Sequence, residues 1–178
     1  SVLSSRSRIQ FIEQVWQRDR ELKTEGFIFK DPAIQAALET FHARTEVATK
    51  QSDLLLTEAQ LTKVLYKHAA NNTQLKDFTR QHQSTDIAND FLNHGNYLAY
   101  GLAASCLWVL GIPHGFAVMH GKTRRGALVF DVADLIKDAI VLPWAFVCAK
   151  ENATEQEFRQ QVLQAFTDHK ALDFMFNT

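Results

Sequence analysis

Apolar residues recur every three or four positions through most of the chain, and the intervals between these stretches are short and polar. That period predicts a succession of amphipathic helices. Over residues 3–24, Ile9, Ile12 and Trp16, with Phe11 and Val15 beside them, share a helical face, and Gly26 stands where a helix would stop. Asp31 followed by Pro32 reads as an N-cap with proline in the first turn, opening a helix to about residue 49 with the stripe Ile34, Ala37, Leu38, Phe41. A third helix is expected from Ser52 or Asp53 to about residue 70, and a fourth over 86–110, ended by Gly111 and Pro113. Asp131 reads as the N-cap of a helix reaching about residue 148 with a kink at Pro143. Thr154 with Glu157 forms a capping box for a helix to about residue 167, and a short last helix follows from about residue 168.

One stretch breaks the helical period. In FAVMHGKTRRGALVF, residues 116–130, two short β-prone runs flank a polar turn containing glycine, which predicts a small hairpin. The expected fold is therefore mainly α: a single multi-helical domain over residues 1–178 carrying one small β-hairpin.

Two helices carry polar residues where the period calls for apolar ones. In the third, Leu54, Glu58, Leu61, Leu65 and His68 lie on one face, so a carboxylate occupies a place suited to leucine. An inward Glu58 needs a cation or hydrogen bonds, because burial alone raises its pKa or costs much of the domain's stability. Spacing leaves a second rotation open, with Leu55, Leu56 and Val64 in the core and Glu58 in water. In the fourth, Asp86, Asn89, Asn93, Asn96 and Tyr100 make a polar ribbon on an apolar element. Interhelical hydrogen bonds would satisfy any one of them, whereas the whole ribbon suits either the support of a site or contacts to phosphate.

Composition narrows the possibilities. A chain of 178 residues, 46% hydrophobic and 22% charged, can bury one ordinary core. A net charge of −1 argues against a surface coated with nucleic acid and leaves room for a local basic patch. Cys106 and Cys148 lack CxxC spacing, so a reducing, cytoplasmic setting is the expectation. Residues 91–112 carry no formal charge, yet Asn93, His94 and Asn96 would be costly in hydrocarbon; the stretch reads as a buried helix, with no membrane span.

The segment HGKTRRGALVFDVADLIKDA, residues 120–139, concentrates both signs of charge. Asp131 and Asp134 are spaced to share a helical face, and His120 lies across the predicted turn. Two carboxylates and an imidazole form a hard, oxygen-rich set that suits Mg²⁺ or Mn²⁺ better than structural zinc. Each has a plain alternative: Asp131 a cap, His120 a turn histidine, and Lys122, Arg124 and Arg125 a solvated turn. Beside a metal, those three cations would hold a phosphodiester.

LLTEAQLTKVLYKHAA (55–70), DIANDFLNHGNYLAYGLAA (86–104) and the 120–139 segment together resemble the CRISPR-associated integrase that captures foreign DNA as new spacers, in particular its subtype I-F branch. The likeness extends over nearly the whole chain. It implies a metal-dependent DNA endonuclease or integrase, working by phosphoryl transfer, in which Glu58, His120 and Asp134 bind one divalent ion, Mg²⁺ or Mn²⁺, with Asp131 accessory. It also implies DNA contacts from Lys122, Arg124, Arg125, Asn93, Asn96 and Tyr100. The expected partners are DNA, a second copy in a homodimer of the full-length protein, and a companion small dimeric protein fused to a helicase-nuclease. The family's N-terminal β-rich dimerisation domain is expected to be missing here, leaving a catalytic half that binds metal but does not perform paired strand transfer. The same residues would also serve another metal-dependent phosphodiesterase on a helical scaffold, or a helical binding module without catalysis.

Overall fold

The computed structural model describes residues 2–29, 31–75, 77–83, 86–116 and 126–178, with Val2 and Leu3 described in their backbone alone. In chain order the helices are α1 (Val2–Leu22), α2 (Pro32–Val47), α3 (Gln51–Asn72), α4 (Ile87–Val109), α5 (Ala127–Ile136), α6 (Leu142–Lys150), α7 (Glu155–Asp168) and α8 (Ala171–Asn177), with a π-helical turn, Lys137–Val141, joining α5 to α6. Local signals set most of the ends. The Asp31 carboxylate accepts the Ala33 N–H at 2.9 Å, and that of Asp86 accepts the Asn89 N–H at 3.0 Å. Thr154 and Glu157 cap α7 reciprocally. Gly111, just past α4, takes φ +67°, a conformation glycine adopts at little cost.

The expected hairpin is not what the chain forms. Ala127–Phe130, its second run, is the first turn of α5, and no strand occurs among the described residues; residues 117–125 lie outside them. A four-residue apolar run fits either period, and here tertiary burial decides. Ala127, Asp131 and Leu135 are all buried, a stripe at intervals of four that only a helix beginning before Asp131 can present inward. For the same reason Asp131 is not the N-cap expected of it. It sits in the second turn of α5, 5% exposed, and Gly126 at φ +71° precedes the helix.

α6 forms the centre: every residue of 142–149 is buried, against α3, α4 and α7. α1 packs on α5 and on the π turn. The turn has a covalent cause at Pro143, which has no N–H to offer the Ala139 carbonyl four residues back. The Leu142 N–H instead reaches Lys137 O, one residue further than in an α-helix, and the Ala139 carbonyl accepts the indole N–H of Trp16 at 3.1 Å. α4 lies so close to this turn that a Cβ on Gly95 would collide with Val141 and meet the Phe158 ring. The first third of the chain is thereby fastened to the segment carrying Asp134 and Asp138. Trp16→Phe, which keeps the ring and removes the donor, is expected to lower unfolding free energy by about 1–2 kcal/mol in urea denaturation, the usual cost of leaving a buried carbonyl without a partner.

Candidate functional site

α1, α3, α4, α5 and the π turn enclose a cavity of about 270 Å³ whose lining includes Arg8, Glu58, Tyr66, Asn96, Asp134, Lys137 and Asp138. Glu58 is on the inward face of α3: Leu54, Leu61 and Leu65 are buried while Leu55 and Leu56 are exposed, which rejects the alternative rotation. Its side chain is 15% exposed. Oε1 accepts the Ser5 hydroxyl at 3.1 Å, and Oε2 lies 3.7 Å from Arg8 Nη1. Asp134 enters from α5 and pairs with Lys137. Asp138 accepts from Arg8 Nε at 3.0 Å and also from Nη2. Asp131 adjoins the cluster beside Arg8, Glu58 and Asp134.

The charge balance defines the site. Four carboxylates, Glu58, Asp131, Asp134 and Asp138, meet two cations, Arg8 and Lys137, among the described side chains lining it. Burial pushes the Glu58 carboxyl above its ordinary value; Arg8 and the Ser5 hydrogen bond oppose the rise, and Asp134 and Asp138 add to it. Burial would lower the pKa of Arg8, but Asp138, Asp134 and Glu58 together raise it above the usual guanidinium value. Lys137 behaves likewise, its loss of hydration outweighed chiefly by Asp134. Burial, aided by Asp138, raises the Tyr66 phenol, which therefore stays protonated at neutral pH.

The polar ribbon of α4 divides in two. Asn89 and Asn93 hold the preceding loop: Arg80 donates to both, at 2.8 and 2.7 Å, and their own amides donate to the carbonyls of Thr79 and His82. Asn93 is thus committed to the loop, whereas Asn96 lines the cavity. Tyr100 stands next to it, its ring 5.3 Å from Lys137 Nζ and edge-on to Phe130. His120, Lys122, Arg124 and Arg125 lie outside the described residues. Among the described residues no three His, Cys, Asp or Glu side chains are arranged to hold a metal ion, and Glu58 and Asp134 are the part of the expected set that the structure brings to one cavity.

Sequence reasoning passed over Ser5, Arg8, Lys137 and Asp138. A signal existed for Arg8: Ser5, Arg8, Ile12, Val15 and Asp19 recur at helical spacing, and all five are buried. That is the same anomaly that singled out Glu58, with the opposite charge. Asp138, four residues beyond Asp134, carried a weaker signal because the π turn follows no sequence period.

Fold and cavity thus define a helical domain with a carboxylate-lined cleft. Among known proteins, the chain is 53% identical over 173 residues to the CRISPR-associated endonuclease Cas1 of Pectobacterium atrosepticum, covering 96% of this chain and 53% of that protein. It is 50% identical over 175 residues to the CRISPR-associated endonuclease Cas1 of Pseudomonas aeruginosa, covering 97% and 54%. The chain belongs to the Cas1 family and spans about half the length of the curated relatives it matches. The crystal structure of a TtCas1–DNA complex shares its fold, with a TM-score of 0.67 over 96% of this chain and 60% of that one, at 22% identity. No family model matches. Among the described residues no helix is long and apolar enough to cross a membrane.

The raised Glu58 pKa has a signed consequence. The folded state holds this proton more tightly than the unfolded chain, so metal-free protein loses stability as pH rises above the ordinary 4.5 of the group. Glu58→Gln abolishes that loss. The stability of the variant relative to wild type should therefore move in its favour as pH rises from about 4 to about 7, as read from denaturant midpoints in the presence of chelator.

Proposed function

We propose that this chain is the catalytic domain of a metal-dependent DNA endonuclease and integrase of CRISPR adaptation, of the subtype I-F branch, acting on DNA by phosphoryl transfer. The observation that carries the proposal is the meeting of Glu58 and Asp134, from separate helices, in a cleft that Asp131 and Asp138 also border. The identity to endonucleases of that name supports it. The donor set fits a divalent ion: hard carboxylate oxygens gathered from separate helices in one cleft suit Mg²⁺ or Mn²⁺. Glu58 and Asp134 would hold it, with His120 as third ligand. Bound there, the ion would polarise a phosphoryl oxygen and stabilise charge developing on the attacked phosphate.

The protein's own groups supply the rest. Lys137, on the cavity wall beside Asp134, offers an ammonium to a phosphate oxygen. Tyr66 and Asn96 offer neutral donors on the same wall. Asp131 is accessory, bordering the ligands. Lys122, Arg124 and Arg125 would hold the backbone on either side of the scissile phosphate, with Tyr100 at the edge of the groove. Asn93 contributes at one remove, through the loop it fixes. In the full-length protein the reading includes a homodimer, the companion small dimeric protein fused to a helicase-nuclease, and a cytoplasmic location.

Glu58→Gln, His120→Ala and Asp134→Asn are each expected to abolish Mn²⁺-dependent cleavage and strand transfer in the full-length protein while it remains folded; activity retained in any two would refute the ligand set. Asp131→Asn should be milder. Replacing Lys122, Arg124 and Arg125 together by Ala should weaken DNA binding similarly for all sequences, and reduce the slope of log affinity against log salt by about 3, near one unit per lost phosphate contact.

A further inference from the structure

The way Glu58 is held deepens the metal-site reading, on which this inference rests. Both oxygens are approached from α1: the Ser5 hydroxyl donates to Oε1 at 3.1 Å, and Arg8 Nη1 stands 3.7 Å from Oε2. Ser5 and Arg8 are one turn apart, 1% and 6% exposed. The guanidinium is not free to swing. Its Nε donates to Asp138 Oδ2 at 3.0 Å, Nη2 donates to the same oxygen, and Nη2 also donates to the Thr62 hydroxyl at 3.1 Å. One planar group from α1 is thus tied to the π turn and to α3 at once, and its remaining nitrogen faces the carboxylate.

We infer that Arg8 is a positioning residue of the metal site: anchored by Asp138, it sets the orientation of the Glu58 carboxylate, with Ser5 as a second support. A rigid, planar fork performs this where a flexible ammonium would not. Two consequences of the guanidinium oppose each other. Its charge repels a divalent ion, whereas its grip spares Glu58 the loss of freedom that coordination would otherwise impose. Removal therefore tightens metal binding if Arg8 acts only as a charge, and weakens it if Arg8 orients the ligand.

Calorimetric titration of the 178-residue chain with Mn²⁺, alongside thermal melts followed by circular dichroism, decides between them. Arg8→Met makes the cleft more negative and is nonetheless expected to weaken Mn²⁺ binding at least about tenfold, the usual effect of losing a group that orients a ligand. Because Arg8→Met strands the Asp138 charge, Arg8→Met combined with Asp138→Leu removes the buried pair together, a replacement that proteins often tolerate, and leaves net charge unchanged. The double variant is expected to fold and to show the same weakening. Arg8→Lys, which keeps the charge without the planar fork, should also bind more weakly than wild type, and Ser5→Ala should lose less than Arg8→Met. Unchanged or tighter binding in the folded variants overturns the inference, and a double variant that does not fold assigns Arg8 to the scaffold and overturns it as well. Glu58→Gln is the control. If it binds Mn²⁺ like wild type, the metal-site reading itself fails and the inference with it; if binding is lost there but kept in the Arg8 variants, only the positioning role is rejected.

Discussion

A buried guanidinium surrounded by carboxylates governs the middle of this molecule. Arg8 is 6% exposed and hydrogen-bonded to Asp138, which is equally buried. Burying such a pair strips water from two ions, and apolar side chains of the same size would often be as stable or more so. Its retention is better explained by what it keeps apart and in place. Without a cation among them, Glu58, Asp134 and Asp138 would repel one another in a medium poor at screening, and the helices carrying them would separate or the acids would take up protons. Arg8 and Lys137 allow the acids to stay close together around one cleft.

The backbone arrangement that brings these groups together depends on an irregularity. Pro143 interrupts the ladder of the helix that begins at Ala127, and the chain responds with a π turn rather than a break. The turn starts at Lys137 and Asp138, so the charged residues sit where the helix widens. Trp16 satisfies a carbonyl there, and the absence of a side chain on Gly95 lets α4 come close. Structural π turns recur at functional sites because they displace side chains from regular helical positions without ending the helix.

Much of this was legible in the sequence where the determinant is local. Caps at Asp31 and Thr154 mark helix starts because a short side chain must reach a nearby N–H, and that requirement is written in neighbouring residues. Glu58 was legible as an intruder on an apolar face. The 127–130 run was not, since four apolar residues satisfy either period and only the buried stripe through Asp131 and Leu135 distinguishes them. The division of the α4 ribbon was equally hidden. Asn89 and Asn93 face a loop whose path is set by Arg80, and no spacing rule reports where a loop will fold back.

Arg8 and Asp138 are separated by 130 residues. During synthesis α1 leaves the ribosome long before its counter-charge has been made, and at about 5–20 residues per second that interval lasts for many seconds. Through it Arg8 remains hydrated, and the inward face of α1 has no acidic partner on the π turn. The cleft therefore cannot be assembled piece by piece as helices emerge; it appears only when the two ends of this order of contacts close on each other, at the entropic cost of a long loop. A nascent chain paused before residue 138 would carry Glu58 without the Arg8–Asp138 pair, so the cleft takes shape only after the π turn has been made.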